Sequence, residues 1–481
     1  MLTAIEIENF KGFGKRQRME LGPLTLIFGA NSAGKSSFFQ SLFFLQDFFA
    51  RGFPNFGRLN YFSESIDLGG FENVLHNHDL NNVMRFRLEF DVKNSKVSDE
   101  RGTYILPVVL QVVHLGLELE ILADVMGAPV VSCVSIYFGE GEVLRLFRRA
   151  GEMAGEQEIC LTVYPEFIGV VSDHVDFSDC GIDDFEELTE FTIKRPAPKE
   201  PETITSVLRT WPMVDLDEEQ FEFVKHCVWS FDGVLNFVNE CLSDFLYVGP
   251  LRDIPTSSYR TSRKIAASRW STGLAAWDYL ALSEKENPGS LQTTANNWLS
   301  RMKVGVSVDV KSDELLPGDL GIPLKVSAKV ISTATSNGRN PSLRVQDVGC
   351  GVSQLVPLIV ALLLDRRKTV IVEQPELHLH PRLQTELGDL FLYGRSKHTN
   401  AIVETHSEHL ILRILRRIRE TYEGELPSGY LEAKTSDVSV QYFQSTNIGT
   451  KVTRLRINEE GEFVDSWPYG FFDERIGEMY G

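Results

Sequence analysis

The stretch "LTLIFGANSAGKSSFFQSLFF", residues 24–44, joins an apolar run to a Gly- and Ser-rich turn and then to apolar residues at helical spacing. The turn, residues 29–36, satisfies G-x-x-x-x-G-K-S between a predicted strand and a predicted helix. Backbone N–H groups of such a turn surround a triphosphate, while Lys35 reaches the outer phosphates and Ser36 ligates Mg²⁺. The candidate ATP-binding residues are Gly29, Ala30, Asn31, Ser32, Ala33, Gly34, Lys35, Ser36 and Ser37.

A second motif, "TVIVEQPELHLHP" at 369–381, ends an apolar strand with an acid. Glu373 is predicted to hold Mg²⁺ beside the phosphates, together with Ser36. Gln374 stands where nucleotide hydrolases usually carry a second acid, and a glutamine orients water but accepts no proton from it. Glu376 is a rival candidate for the general base, and its alternative role is a polar contact that fixes the turn.

A third motif, "AIVETHSEHL" at 401–410, sets His406 at the tip of the next predicted strand, where an imidazole contacts the outermost phosphate or serves only structure. From residue 343 the pattern alternates helix, strand, helix, strand, helix. This rhythm is typical of a parallel sheet with crossover helices, so the sequence predicts an α/β fold.

Composition is that of a globular protein, with 43% hydrophobic and 24% charged residues over 481 positions. No apolar run reaches the roughly 18 residues that span a bilayer, and the N-terminus lacks a basic-then-apolar leader, so we expect a cytoplasmic protein without membrane contact. The six cysteines show no C-x-x-C pair and are expected to be reduced core residues.

The net charge of −19 is concentrated in residues 151–220, which hold 18 Asp and Glu against 4 Lys and Arg. Strand-like runs occur at 83–91, 104–113 and 130–138, and an amphipathic helix is expected around 216–243. No heptad repeat is sustained, which excludes a long coiled-coil arm. The predicted units are an N-terminal part of an ATPase head (1–82), a β-rich acidic insertion ending in helices (83–245), a C-terminal part of the head (246–435) and a small C-terminal β appendage (436–481).

The order of these motifs resembles ABC-type ATPases of the SMC/RecF kind, and more closely the prokaryotic OLD-like family of AAA ATPases. The resemblance covers about 1–50 and 343–420, with weaker similarity at 247–255 and 466–474. It implies an ABC-ATPase head with a mixed or parallel sheet and crossover helices. In "IEIENFKGFG", Lys11 matches a basic residue that approaches the nucleotide; Glu373 matches the Walker B acid and His406 the switch histidine.

In such families two heads dimerise face to face, each covering the other's ATP with a signature loop at a helix start. "DVGCGVSQL", residues 347–355, occupies that position but departs from L-S-G-G-Q. Gly349 or Ser353 takes the place of the signature serine, depending on register, and Gly351 supplies a backbone amide. No glutamine is assigned to the Q-loop, which is expected near 67–79.

OLD-like ATPases often carry a TOPRIM nuclease domain, which needs a D-x-D on a strand end. Asp215 and Asp217 precede a predicted helix and are interpreted as an N-cap with first-turn acids. Because little chain remains after residue 420, we expect any nuclease or toxin to be a separate polypeptide. Similarity to ATPase subunits of antiphage systems such as PARIS and Septu implies a homo-oligomer that controls such an effector.

Three further clusters, two of basic residues and one of histidines, each have two possible interpretations. The cations at 252–269 face DNA phosphates or an acidic partner, or form an ordinary solvated surface. The arginines at 413–419 are interpreted as a solvated helix face. His378 and His380 beside Glu376 are interpreted as part of the turn after Walker B rather than as a metal site.

The sequence thus predicts an ATP- and Mg²⁺-dependent ATPase, slow because Gln374 replaces the base. The resemblance implies that this ATPase acts as an oligomeric sensor or scaffold in antiphage defence. The alternatives are a RecF/SMC-like DNA-binding ATPase of DNA repair, and a regulatory protein that binds ATP without turnover.

Overall fold

A computed structural model gives the fold of this chain. The described residues are 1–51, 58–61, 64–92, 113–124, 126–150, 157–164, 167, 218–256, 259–261, 265, 267–286, 290–312, 324–332, 342–349, 351–364, 369–397 and 399–468. Several sequence predictions therefore lie outside the described residues. They are the run at 104–112, most of the acidic segment at 151–220 with Asp215 and Asp217, and residues 469–474 of the terminal phrase.

The strands follow the chain in this order: β1 Leu2–Glu8, β2 Gln17–Glu20, β3 Leu24–Gly29, β4 Arg58–Tyr61, β5 Glu64–Asp67, β6 Met84–Asp91, β7 His114–Ala123, β8 Pro129–Phe138, β9 Gly141–Ala150, β10 Gln157–Val163, β11 Phe245–Val248, β12 Arg260–Thr261, β13 Val306–Ser312, β14 Leu324–Ser332, β15 Ser342–Arg344, β16 Thr369–Glu373, β17 Asn400–Glu404, β18 Val438–Thr446 and β19 Gly449–Leu455. The α-helices are α1 Lys35–Arg51, α2 Phe71–Val74, α3 Glu218–Ser243, α4 Leu274–Glu286, α5 Ser290–Arg301, α6 Gly351–Leu363, α7 Pro381–Ser396 and α8 Glu408–Glu423.

The central sheet has the order β11-β16-β17-β3-β18-β19. Its first five strands run parallel, and β19 returns antiparallel to β18. Helices connect β3, β16 and β17 to the strands that follow, so the predicted α/β class with a mixed sheet and crossover helices is confirmed. Because β18 pairs with β3 along Val438–Phe443, the expectation of a separate C-terminal β appendage is wrong: this segment completes the central sheet.

A second sheet, of order β10-β9-β8-β7-β6-β1-β2, is antiparallel throughout. Strand β6 pairs with β1 over most of its length, so the predicted insertion does not begin a new sheet at residue 83. It extends the sheet that the first 20 residues start, because the alternating apolar face of β6 needs the same core as β1.

The central sheet separates two apolar cores. Along β16, Ile371 faces one core while Val370 and Val372 face the other, as the two-residue period of a strand requires. The first core lies against the antiparallel sheet, α1 and α3; the second contains α4 to α8. This three-layer arrangement leaves the carboxyl ends of the parallel strands at one exposed edge.

A third sheet, formed by β12, β14, β13 and β15, precedes α6. The sequence patterns did not single it out. Among its described residues, Val308, Val310 and Val330 are buried in the second core and Val306 and Ala328 pack against it, so the apolar alternation is short. The predicted strands at 83–91 and 130–138 and the helix near 216–243 are confirmed.

Candidate functional site

A pocket of about 550 Å³ opens at the carboxyl edge of the central sheet. Strands β3, β16 and β17 lie side by side and parallel there, so the turn after β3 meets Glu373 and Glu404, the last residues of β16 and β17. Its volume is within the range of small-molecule sites, roughly 300 to 1,000 Å³. The sequence motifs separated by more than 330 positions thus share one cavity.

The P-loop, residues 29–36, curls between β3 and the start of α1. Gly34 has φ +100°, a conformation that L side chains rarely adopt, and a Cβ there would meet the Thr450 hydroxyl at 2.1 Å. Asn31, Ser32, Gly34, Lys35, Ser36 and Ser37 line the pocket. Ala33 is buried beneath them, whereas Gly29 and Ala30 contribute backbone carbonyls to the loop's interior.

The ammonium of Lys35 is folded into the loop. Its Nζ donates to the carbonyl oxygens of Gly29 (2.8 Å) and Ala30 (2.9 Å) and lies 3.6 Å from Oε1 of Glu404. Burial lowers the pKa of Lys35, while the carboxylates of Glu404 and Glu373 act in the opposite direction. The lysine is therefore placed at the phosphate end of the pocket, held by acceptors that a triphosphate would replace.

Glu373 is oriented by Tyr247 of β11 and by Arg252 of the segment after it. The Tyr247 hydroxyl donates to Glu373 Oε1 at 2.7 Å, and the Arg252 guanidinium donates to the Glu373 backbone oxygen at 3.0 Å. Burial raises the pKa of Glu373, and the Tyr247 hydrogen bond and Lys35 oppose that rise. A hydroxyl at Ser36 and a carboxylate at Glu373 in one cavity are the oxygen ligands that Mg²⁺ prefers.

Gln374 and Glu376 have different surroundings. Gln374 lines the pocket in a left-handed conformation, φ 44°, which is uncommon for a residue with a side chain. Glu376 accepts from the Thr405 hydroxyl (2.8 Å) and the His406 N–H (2.7 Å), one at each carboxylate oxygen. The suggestion that Glu376 is the base is therefore not supported by the geometry: its two oxygens hold the loop 405–407.

His406 and Lys11 lie beside the pocket rather than among its lining residues. Burial, and then the Lys35 ammonium, lower the pKa of His406. Lys11 adopts φ 47° and its N–H donates to the Val74 carbonyl oxygen at 2.7 Å. Its neighbour Gly12 lines the cavity.

Glu404 is a pocket residue that the sequence reading passed over. It lines the cavity, is 6% exposed, and its pKa is raised to about 7 by burial and by Glu373, against the opposite effect of Lys35. Its position two residues before His406, directly at a predicted strand end, was the available signal. From the sequence alone, Glu404 cannot be distinguished from an ordinary last residue of a strand, because the positions of the neighbouring strand ends are not known.

The hairpin between β18 and β19 was also missed. Its residues 445–447 and 449–450 line the pocket opposite Glu373, together with His76 and Asn77. The Thr450 hydroxyl donates to the Ala33 carbonyl oxygen at 3.2 Å, and the Thr450 backbone N–H donates to the Gly12 carbonyl oxygen. No local motif marks this hairpin, because its role depends on β18 joining β3. His76 and Asn77 fall within residues 67–79, where we expected the Q-loop, although that segment contains no glutamine.

None of the described residues of the signature loop, 347–349 and 351–355, lines the pocket of its own chain. Gly349 is exposed just before α6, and a Cβ there would meet nothing within 4 Å. Ser353 is 1% exposed, so the register that makes its hydroxyl a donor to a second molecule is wrong for this conformation. Gly351 begins α6, and the N–H of the next residue, Val352, donates to the Gly349 carbonyl oxygen at 3.3 Å.

The basic stretch at 252–269 offers fewer cations than predicted. Arg252 is buried between Gln354 and Glu373, and Arg269 pairs with the fully buried Asp278 at 2.6 Å. Arg260 is exposed, and Arg263 and Lys264 lie outside the described residues. The solvated face predicted for 413–419 is wrong at Arg417, which is buried and pairs with Asp389 at 2.7 Å.

Within the described ranges, no cluster of three or more His, Cys, Asp and Glu has the arrangement of a metal site. No helix of those ranges has the length and apolarity needed to cross a membrane. None of the four described cysteines forms a disulfide within the described residues, and Cys133, Cys160 and Cys227 are buried; Cys180 and Cys350 lie outside the described part.

Comparisons with protein families give three matches. An AAA ATPase domain matches residues 1–200, and an AAA domain whose description also names the AbiEii toxin of a type IV TA system matches 251–413. A domain of unknown function, DUF3696, matches residues 434–480. The P-loop lies in the first matched region, and Glu373 and His406 lie in the second. No curated protein matched the chain.

Solved structures similar to this chain include SMC head domains. One, bound to the C-winged helix domain of ScpA, is 11% identical, with a TM-score of 0.42 over 95% of this chain and 98% of that chain. A head domain from Thermotoga maritima is 11% identical, with a TM-score of 0.39 over 95% and 99%. A head with an extended coiled coil, bound to the C-terminal domain of ScpA derived from Pyrococcus furiosus, is 12% identical, with a TM-score of 0.41 over 95% and 96%.

Proposed function

We propose that this chain is an ATP-binding head that closes face to face on a second copy, hydrolyses ATP slowly and thereby acts as a timed switch. The observation that carries the proposal is the pocket itself, in which the P-loop and Glu373 meet while Gln374 takes the usual position of the base. Binding groups are present and the customary proton acceptor is not. Nucleotide is therefore held longer than in a fast ATPase.

ATP would lie with its phosphates along the P-loop, where Lys35 exchanges its carbonyl partners for phosphate oxygens. Ser36 and Glu373 would hold Mg²⁺, which when bound neutralises charge on the β- and γ-phosphates. Tyr247 fixes the orientation of the Glu373 carboxylate, and Glu376 fixes the backbone that presents His406. These residues bind and orient, and none of them replaces the missing carboxylate at 374.

A second copy supplies the signature loop. Gly349 is exposed, Gly351 at the start of α6 is half-buried, and neither lines the chain's own pocket, as a loop that covers a partner's nucleotide requires. Helix N-termini attract anions, so the first N–H groups of α6 suit the γ-phosphate of ATP held by the other head. ATP thus joins the two copies, and hydrolysis separates them.

Control of a separate effector, a nuclease or toxin in antiphage defence, is the role we assign to this switch. Its support is the similarity to ATPase subunits of such systems and the toxin named in the family description that matches 251–413. A DNA-repair role is less favoured, since two of the five cations at 252–269 are engaged inside the protein. Mass measurement of the complex purified with the product of the neighbouring gene tests the effector: a chain that never associates with it contradicts this role.

The first prediction concerns dimerisation, measured as particle mass by light scattering with and without Mg-ATP. The unchanged protein doubles in mass with ATP. Lys35→Ala stays monomeric because ATP no longer binds, whereas Gly349→Arg binds ATP but stays monomeric because the added side chain blocks the closing face. Gly141→Arg, at an exposed hairpin position with similar space, is the control and dimerises normally. Dimerisation of Gly349→Arg would contradict the assigned face.

A further inference from the structure

Glu404 occupies the middle of the three strand ends that form the pocket. Strand β17 lies between β16 and β3, and Glu404 pairs in register with Glu373 on one side and Ile27 on the other. The Gln374 N–H donates to the Glu404 backbone oxygen at 2.9 Å, which ties the two strand ends together. The carboxylate is thus fixed between the proposed metal ligand and the P-loop.

The distance to Lys35 locates this carboxylate relative to the nucleotide. In P-loop proteins the lysine contacts the β- and γ-phosphates, so Lys35, whose ammonium would leave the carbonyls of Gly29 and Ala30 for those phosphates, lies next to the outer phosphate end of the site. Glu404 Oε1 lies 3.6 Å from Lys35 Nζ, and Glu404 lines the same cavity. It is therefore close enough to reach a water molecule beside the γ-phosphate.

The described lining of the cavity offers few alternatives. Its carboxylates are Glu373 and Glu404, and Glu373 is the metal ligand in the proposed function. Glu376 is outside the lining, with both oxygens bound to the loop 405–407. Gln374 lines the cavity but has no basic group. Glu404 is the remaining carboxylate within reach of the phosphate end.

We propose that Glu404 orients the attacking water in place of the carboxylate that position 374 lacks, an inference that rests on the proposed ATPase function. The water oxygen bonds to the γ-phosphorus while the bond from that phosphorus to the β–γ bridging oxygen breaks, and its electron pair remains on ADP. The water's proton passes to the Glu404 carboxylate and then to solvent or to the released phosphate. The Glu404 carboxylate reaches the water from the end of β17, whereas a base at position 374 would reach it from the turn after β16.

Glu404→Gln tests this assignment, because the amide keeps the shape of the side chain and loses the proton acceptor. Two readouts are measured: Mg-ATP affinity by calorimetry, and phosphate release at saturating ATP. We expect affinity to stay within about threefold and turnover to fall about 100-fold or more. Glu423→Gln, an exposed carboxylate near the end of α8, is the matched control and leaves both unchanged. Adding Gln374→Glu to Glu404→Gln restores turnover at least tenfold.

Each outcome is decisive. If Glu404→Gln binds ATP normally and keeps its turnover, the assignment is wrong while the ATP switch stands. If Glu404→Gln loses ATP binding instead, Glu404 only positions Lys35, and the assignment is also wrong; Glu404→Asp, which keeps the charge, then binds. If the unchanged protein binds no ATP at all, the proposed function itself fails.

Discussion

Glu376 has both carboxylate oxygens occupied by the loop that carries His406. One oxygen accepts from the Thr405 hydroxyl and the other from the His406 N–H, at 2.8 and 2.7 Å. Two hydrogen bonds to this half-buried carboxylate fix the backbone on which both Glu404 and His406 depend. A residue that the sequence offers as a base is thereby explained as a support for its neighbours.

Glu376→Gln should destabilise this loop. An amide presents one N–H₂ group where the carboxylate presented an acceptor, so one of the two donors loses its partner, at a cost of about 1 to 3 kcal/mol. The free energy of unfolding from denaturant titration measures the loss. The exposed Glu425→Gln is the control, with a change within about 0.5 kcal/mol. Equal stability of the two variants would remove the supporting role from Glu376.

At the scale of elements, buried cations connect the helices to the site. Arg252 bridges Gln354 of α6 and the Glu373 backbone of β16, so the signature helix is bonded directly to the metal-binding strand. Burial lowers the pKa of Arg252 to about 10, yet it remains charged at neutral pH. In the proposed dimer, movement of α6 on closure would therefore reach the pocket through this one side chain.

The packing of α7 on α8 depends on a second buried arginine. Arg417, 2% exposed, pairs with Asp389 of α7 at 2.7 Å and with Glu420 of its own helix. We predict that Arg417→Met costs about 1 to 3 kcal/mol, because each carboxylate loses one buried cation and keeps another, Arg413 at Asp389 and Arg416 at Glu420. Arg419→Met, on the exposed face of the same helix, is the control and changes unfolding by at most about 0.5 kcal/mol. Thermal and denaturant unfolding of both variants checks this, and a loss below about 1 kcal/mol in Arg417→Met would contradict it.

At the scale of the whole molecule, the sequence predicts the parts that carry local signals. The P-loop has glycine chemistry, β16 and β17 have short apolar runs, and the helices have amphipathic spacing, so their types and order could be read directly. The α/β class and the shared edge of Lys35 and Glu373 followed from the rule that parallel strands end together.

The remainder depends on long-range pairing, which leaves no local trace. Pairing of β18 with β3 brings Thr450 to the P-loop across more than 400 residues, and pairing of β17 between β16 and β3 places Glu404 beside Lys35. Burial of Arg417 likewise depends on α7 lying against α8. The solvated position predicted for Arg417 is wrong, and the sequence did not indicate Glu404 or Thr450, because the surroundings of each depend on which strand or helix lies alongside.

The central claim, an ATP-held switch with weak water activation at position 374, is tested most directly by steady-state phosphate release per chain at saturating Mg-ATP. The unchanged protein should turn over well below roughly 10 s⁻¹, a typical enzyme value. Gln374→Glu, which places a carboxylate in a lining position, should raise the rate at least tenfold. Turnover at or above roughly 10 s⁻¹ in the unchanged protein, with no gain in Gln374→Glu, would contradict the account.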